Sequence, residues 1–262
     1  IEVGFISALG SEAYSDSMLE AWASENVGTS DVFRDANKNA GLYAIQTDST
    51  GERTFSYWRS DSAAKNMFSQ SEVYFSSLYK YEVIYTTGIT LSLMSDQTFS
   101  DFIQFLKGLK KVNKQIIFDL NYRPKNWQNP AQAKARVAAF LEVTNMALPS
   151  YDDEQMLFND SSIESCIARY VEAGVKEVVL KNGQDGCYVY ANKSTQHYPV
   201  SEIVRPIDTT AAGDSFNAGY LAMRMRKKDI AQAVASAQKT AALVIQHSGA
   251  VVDKHLFKRA ML

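Results

Sequence analysis

Apolar residues recur along the chain with two periods. Val83-Ile84-Tyr85-Thr86, Gln115-Ile116-Ile117-Phe118-Asp119, Asn145-Met146-Ala147-Leu148 and Glu177-Val178-Val179-Leu180-Lys181 are short, apolar and rich in β-branched residues. They have the length and content of buried strands. Between them, residues 100–112, 131–143 and 162–173 carry apolar positions at helical spacing, and Ile230, Val234, Ala237, Ala241, Val244 and Ile245 predict a long amphipathic helix near the C-terminal end. Strands alternating with helices predict an α/β fold, a parallel sheet with right-handed crossovers and helices on both faces, as in a Rossmann-like three-layer sandwich. The opening Ile1-Glu2-Val3-Gly4-Phe5-Ile6 lacks Met and already reads as a strand. The expectation is that an N-terminal part of the fold precedes it.

Residues 42–58 break the alternation. Tyr43, Ile45 and Thr47, then Phe55 and Tyr57, repeat with period two around Asp48-Ser49-Thr50-Gly51-Glu52, whose Gly can supply the positive φ of a hairpin turn. Without a crossover helix, this hairpin is predicted to stand outside the main sheet as a lid, about residues 41–60, within a single domain spanning residues 1–262.

Composition narrows the range of functions. At 262 residues and 46% hydrophobic, the chain suffices for one large domain rather than two. A formal net charge of −2 with no block of like charge gives nucleic acid or an anionic membrane nothing to bind. Cys166 and Cys187 share no metal or redox spacing, and His197, His247 and His255 do not cluster, which disfavours zinc or a disulfide framework and favours a reducing cytoplasm. No run approaches the roughly 18 apolar residues of a membrane span.

The chemistry concentrates in Asp208-Thr209-Thr210-Ala211-Ala212-Gly213-Asp214-Ser215-Phe216-Asn217-Ala218-Gly219-Tyr220. Small residues crowd the point where a loop becomes a helix. A helix N-terminus with unpaired N–H groups is an anion site, and Ala211, Ala212 and Gly213 leave an anion room to approach. Asp214, in the first turn, is placed to take a proton from an attacking hydroxyl while the amides hold the phosphoryl charge. A plain helix cap by Asp214 or Ser215 is the alternative.

The string from Asp208 to Gly219, one small substitution apart, resembles the C-terminal signature of the ribokinase-like (PfkB) carbohydrate kinases, and the resemblance extends over essentially the whole chain. It implies a ribokinase-like fold with a small β lid, Asp214 as catalytic base, and Ala211, Ala212 and Gly213 as the hole for the γ-phosphate. Lys181-Asn182-Gly183-Gln184-Asp185-Gly186 resembles the family's Lys-x-Gly-x-x-Gly turn, and Gly249-Ala250 its adenine-pocket loop, so Lys181, Gly183, Asp185, Gly186 and Gly249 are expected at the nucleotide; an ordinary turn is the other reading. ATP with Mg2+, and a monovalent cation such as K+, are the implied cofactors, with direct metal ligands unassigned. Ser150-Tyr151-Asp152-Asp153 stands where the family has Asn-x-x-Glu, and Asp153 reads first as surface charge. The family's Gly-Gly-x-x-x-Asn sugar region is not in this sequence.

Tyr57-Trp58-Arg59 and Asn121-Tyr122-Arg123-Pro124 resemble the family branch that phosphorylates 2-keto-3-deoxygluconate. By that resemblance Tyr43, Tyr57, Arg59 and Arg123 contact the sugar acid with Asp214, and Asn121, Tyr122 and Arg123 lie between substrate and nucleotide. Arg is the cation whose fork matches a carboxylate. The implied reaction is ATP-dependent phosphorylation of 2-dehydro-3-deoxy-D-gluconate to its 6-phosphate. A kinase for a neutral ketose such as fructose or tagatose phosphate is the alternative. Because lids of this family often pair between subunits, a homo-oligomer is expected.

Overall fold

The structure is a computed structural model and describes residues 1–47 and 53–261. The hairpin turn expected at Asp48-Ser49-Thr50-Gly51-Glu52 lies outside the described residues. The chain divides into two compact units, Ile1–Glu82 with Leu93–Phe105, and Val83–Ser92 with Leu106–Leu262.

The first unit holds β1 (Val3–Gly4), β2 (Ser7–Leu9), α1 (Ala13–Ser24), β3 (Val27–Gly28), β4 (Val32–Arg34), β5 (Leu42–Thr47), β6 (Arg53–Trp58) and α2 (Ser71–Ser77). Of the opening strand expected over residues 1–6 only Val3–Gly4 is a strand, and β2 follows beyond it. β1 pairs with β3 and β2 with β4, both parallel, so the chain changes partner between them. Among the described residues β5 and β6 pair only with each other, antiparallel, with Leu42 opposite Trp58 and Tyr43 opposite Tyr57. The hairpin thus lies outside the main sheet.

The second unit begins with β7 (Val83–Thr87) and α3 (Gly88–Ser92). It continues beyond Phe105 with the rest of α4 (Asp96–Lys111), then β8 (Gln115–Asp119), α5 (Pro130–Leu141), β9 (Met146–Ala147), α6 (Tyr151–Phe158), α7 (Ile163–Glu172) and β10 (Glu177–Lys181). β11 (Cys187–Ala191), β12 (Ser194–Tyr198), α8 (Ala212–Met225), α9 (Ile230–Ile245) and α10 (Lys254–Met261) complete it. One six-stranded sheet runs β12-β11-β10-β9-β8-β7, parallel from β7 to β10 and antiparallel at β11 and β12.

Alternate residues of β8 point to opposite faces. Ile117 packs with Leu148, Val179, Val189 and the α8–α9 residues Phe216, Tyr220, Val234 and Ala237. On the other face Phe118 meets Phe140 of α5, ring centroids 4.9 Å apart. Helices on both faces give the three layers the strand-helix pattern predicts. β9 is shorter than expected, although the Asn145 and Leu148 N–H groups still reach the carbonyls of Ile116 and Phe118 at 2.8 Å, and the Asn145 side-chain oxygen accepts the Ile116 N–H at 2.9 Å. β12 escaped the periodicity reading because its Ser-Thr-Gln-His-Tyr sequence is almost wholly exposed at the sheet edge.

α8 and α9 pack closely because of Gly219. A Cβ there would stand 2.8 Å from Thr240 Oγ1, 2.9 Å from Ala237 Cα and 3.0 Å from the Ser236 carbonyl. Two of these are backbone atoms that cannot turn aside. Gly219→Val is therefore expected to destabilise the protein by about 1–3 kcal/mol or more, read as a lowered midpoint in urea unfolding.

Candidate active site

The site lies in the second unit, at the C-terminal ends of β7, β8 and β10 and the start of α8. Parallel strands end there beside a helix N-terminus, the place where open α/β sheets bind ligands.

Ala211 precedes the first turn of α8 in the left-handed conformation, φ 60° and ψ 17°, and no side chain caps the helix. An L-residue there costs on the order of 1–2 kcal/mol, and such strain tends to persist where function needs the geometry. Ala212, Gly213 and Asp214 follow as the first three helical residues. The three residues expected as the anion hole, Ala211, Ala212 and Gly213, differ in what their backbone does. The Ala212 N–H already donates to the Thr209 carbonyl at 3.2 Å. Gly213 and Asp214 occupy the second and third positions, whose N–H groups a helix leaves without an intrahelical partner. A Cβ at Gly213 would meet nothing nearer than Lys181 Nζ at 3.6 Å, so the glycine is not demanded by packing.

Asp208 fixes the entry to this turn. Its Oδ1 accepts the Thr210 N–H at 2.8 Å and its Oδ2 the Gly249 N–H at 3.0 Å, so the loop after α9 is tied to the loop before α8. Gly249, with φ 86°, is thereby brought beside the turn.

Asp214 is exposed in the first turn of α8. Its carboxyl is nevertheless held above the usual carboxylate range, first because surrounding atoms strip solvent from it and next because Asp119 faces it with like charge; Lys181 and Arg123 oppose the rise. A raised value brings a carboxylate nearer the operating range of a general base.

At the end of β8, Asp119 accepts the Asn121 N–H at 3.2 Å and Lys181 Nζ at 3.2 Å. The chain then turns through Asn121, φ 38°, whose side-chain oxygen is buried without a partner among the described residues. This turn passes so close to Gly88 that a Cβ there would lie 2.1 Å from the Leu120 carbonyl. The Tyr122 N–H donates to Asp153 Oδ2 at 3.1 Å, and Arg123 reaches Asp153 Oδ1 at 3.4 Å while also donating to the Tyr122 carbonyl at 2.7 Å. Asp153 is therefore not the surface charge its sequence context suggested. Its side chain is 16% exposed, and it holds the segment that carries Arg123.

After β10 the Lys-x-Gly-x-x-Gly turn closes with Asn182 N–H to the Gly186 carbonyl at 2.8 Å and a hydrogen bond from the Asn182 amide to the Asp185 carboxylate at 3.2 Å. The two glycines differ. At Gly183, φ 52°, a Cβ would meet nothing within 4 Å, whereas at Gly186 it would lie 2.1 Å from the Tyr198 carbonyl. Gly186 is explained by that approach together with its φ of 92°.

Tyr43, Tyr57 and Arg59 belong to the first unit. The two tyrosine rings pair across the hairpin, centroids 6.2 Å apart, and the Arg59 guanidinium lies 4.5 Å from the centre of the Tyr57 ring. A Cβ at Gly41 would stand 2.9 Å from Arg59 Cβ, so the glycine lets the arginine sit there.

The sequence reading passed over Asp119, Asn217, Tyr85 and the bracing role of Asp153. The one available signal was Asn217, a polar residue on the apolar face of α8, three residues after Asp214. Among the described residues one group of metal-type ligands clusters, Glu154, Asp160 and Cys166. The Arg169 guanidinium occupies it, 2.9 Å from Glu154 and ion-paired with Asp160, so the positive charge is already supplied.

An Asp in the first turn of a helix, beside a largely buried lysine side chain at the strand ends of a doubly covered sheet, is an arrangement suited to phosphoryl transfer. The chain belongs to the pfkB family of carbohydrate kinases, whose family model matches residues 1–255. It is 39% identical over 259 residues to the 2-dehydro-3-deoxygluconokinase of Escherichia coli K12, covering 97% of this chain and 84% of that protein. The 2-dehydro-3-deoxygluconokinase of Haemophilus influenzae is 37% identical over 260 residues, 97% of this chain and 82% of the relative. Among solved structures, a fructokinase from Vibrio cholerae with fructose, ADP and calcium bound superposes with a TM-score of 0.82 at 23% identity, over 97% of this chain and 84% of that one. The ribokinase-like fold expected from the sequence is the fold observed.

Proposed function

We propose that this protein phosphorylates 2-dehydro-3-deoxy-D-gluconate at its 6-hydroxyl with ATP as donor. The observation that carries the reading is that the Asp214 side chain shares the uncapped first turn of α8 with its own N–H group and that of Gly213. Asp214 takes the proton of the attacking hydroxyl, and the two N–H groups, on the positive end of the helix dipole, stabilise charge as the phosphoryl group passes. Lys181 adds a fixed positive charge beside the turn. The Gly183 turn and Gly249 flank the nucleotide, with Asn121 and Tyr122 at its phosphates.

Mg2+ carried by the nucleotide supplies charge neutralisation at the phosphates. The carboxylates available fit an ion that keeps much of its water shell, because Asp119 is committed to Lys181 and Asn217, and Asp153 to Tyr122 and Arg123. For these residues, bracing the loops around the phosphates is the role the hydrogen bonds support.

Substrate choice rests on Arg59 and Arg123. A carboxylate leaving water must meet a cation or its desolvation outweighs the remaining sugar contacts. Arg59 rests on the Tyr57 ring with no carboxylate partner among the described residues, and Tyr43 backs that ring. The identity to two 2-dehydro-3-deoxygluconokinases supports the same substrate. Arg59→Ala is expected to raise KM for the keto acid about 10- to 100-fold at nearly constant kcat, the worth of one charge-assisted hydrogen bond. An unchanged KM removes Arg59 from carboxylate recognition.

A further inference from the structure

Behind the anion turn, three side chains close a triangle. Asp119 Oδ2 accepts from Asn217 Nδ2 at 2.7 Å and from Lys181 Nζ at 3.2 Å, and Asn217 Oδ1 accepts from the same Nζ at 3.0 Å. Asn217 also reaches the Tyr85 hydroxyl at 3.1 Å. Asp119 and Asn217 are 3% and 2% exposed, so the charge and the amide are buried and satisfy each other. If stability alone were at stake, well-packed apolar residues would serve as well or better than a buried ion pair. The triangle instead joins the strand that ends at Asp119, the strand that ends at Lys181, and the helix turn that carries Asp214.

Its geometry bears on the reacting groups in two ways. An ammonium has three N–H donors, and two of those of Lys181 are taken by Asp119 and Asn217. The ammonium is thereby fixed beside Gly213, where a Cβ would be 3.6 Å from it, with its third donor left for an anion on the turn. Asn217 lies three residues beyond Asp214, on the same side of α8.

We propose that Asp119 is a positioning residue for phosphoryl transfer: through Asn217 and Lys181 it anchors the ammonium at the Gly213 turn, and its charge balances that ammonium at Asp214. The inference rests on Asp214 being the base. Facing Asp214 are Asp119 from β8, Lys181 from β10, Arg123 from the loop after β8 and the Tyr85 hydroxyl from β7. After desolvation, Asp119 is the largest influence raising the Asp214 carboxyl, and Lys181 the largest lowering it.

The test is the pH dependence of kcat/KM for the sugar acid at saturating ATP and Mg2+, for wild type, Asp119→Asn, Lys181→Met and the double variant, with thermal unfolding measured alongside. Loss of the Asp119 charge should move the acid limb to lower pH, loss of the Lys181 charge should move it to higher pH, and each single variant should lose about 10-fold or more in kcat, the scale of a lost positioning contact. An acid limb unmoved in Asp119→Asn, or moved the same way by both substitutions, overturns the inference. Should Asp119→Asn fail to fold, the double variant, which removes both charges, decides: its limb must lie below that of Lys181→Met, and coincidence of the two overturns the inference. Asp214→Asn separates this from the base assignment. A limb that persists in its residual activity removes Asp214 as the base, whereas a limb lost there but unmoved in Asp119→Asn removes only the role of Asp119.

Discussion

Asp214→Asn is expected to lower kcat by about 10²-fold or more while ADP affinity, measured by calorimetry, changes only a few-fold. Asparagine keeps the shape of the side chain and its place in the first turn of α8 but cannot accept the hydroxyl proton. The remaining apparatus, the N–H groups of Gly213 and Asp214 and the ammonium of Lys181, is untouched, so nucleotide binding should survive. Near-normal kcat in this variant would remove Asp214 from the role of base.

The second large effect is expected at Gly213. Valine there should abolish measurable turnover while the far-ultraviolet circular dichroism spectrum and unfolding midpoint stay close to wild type. The nearest protein atom to a Cβ at this position, Lys181 Nζ, is 3.6 Å away, ordinary van der Waals contact. The fold has no need of glycine at this position, and its space is left for an anion approaching the backbone. The contrast with Gly219 is instructive. There a Cβ meets the backbone of α9 at 2.9–3.0 Å, so the two glycines, six residues apart in one signature, should fail differently: Gly213→Val in catalysis with the fold intact, Gly219→Val in stability. Wild-type kinetics in Gly213→Val would remove the anion turn from the mechanism.

The second unit was largely legible in the sequence, because β7, β8 and β10 are continuous apolar runs and α9 carries its apolar stripe without interruption. The N-terminal strands were less so. β1 to β4 are two or three residues long, too short for a period to declare itself, and their pairing changes partner midway. At the site, the helix start could be read, since Ala211, Ala212 and Gly213 are consecutive small residues before the acid Asp214. What could not be read was assembled across the chain. Asp119 and Lys181 are 62 residues apart and Asp119 and Asn217 are 98 apart, and only the pairing of β8 and β10 on either side of β9 and the seating of α8 bring them together. Asp153 misled for the same reason: beside Asp152 and Glu154 it looks like a solvated acidic turn, and its partner, the Tyr122 N–H, is 31 residues away. Tyr43, Tyr57 and Arg59 were singled out through resemblance alone, and the hairpin places Tyr43 opposite Tyr57.

The most direct test of the acid-sugar assignment is a side-by-side measurement of kcat/KM for 2-dehydro-3-deoxy-D-gluconate and for fructose, with ATP and Mg2+, following ADP release. Fructose has no carboxylate for an arginine to pair with, so the sugar acid should be favoured by at least one to two orders of magnitude, the scale of a single charge-assisted hydrogen bond. Equal efficiency with the two sugars would contradict the assignment and make this protein a kinase of neutral ketoses.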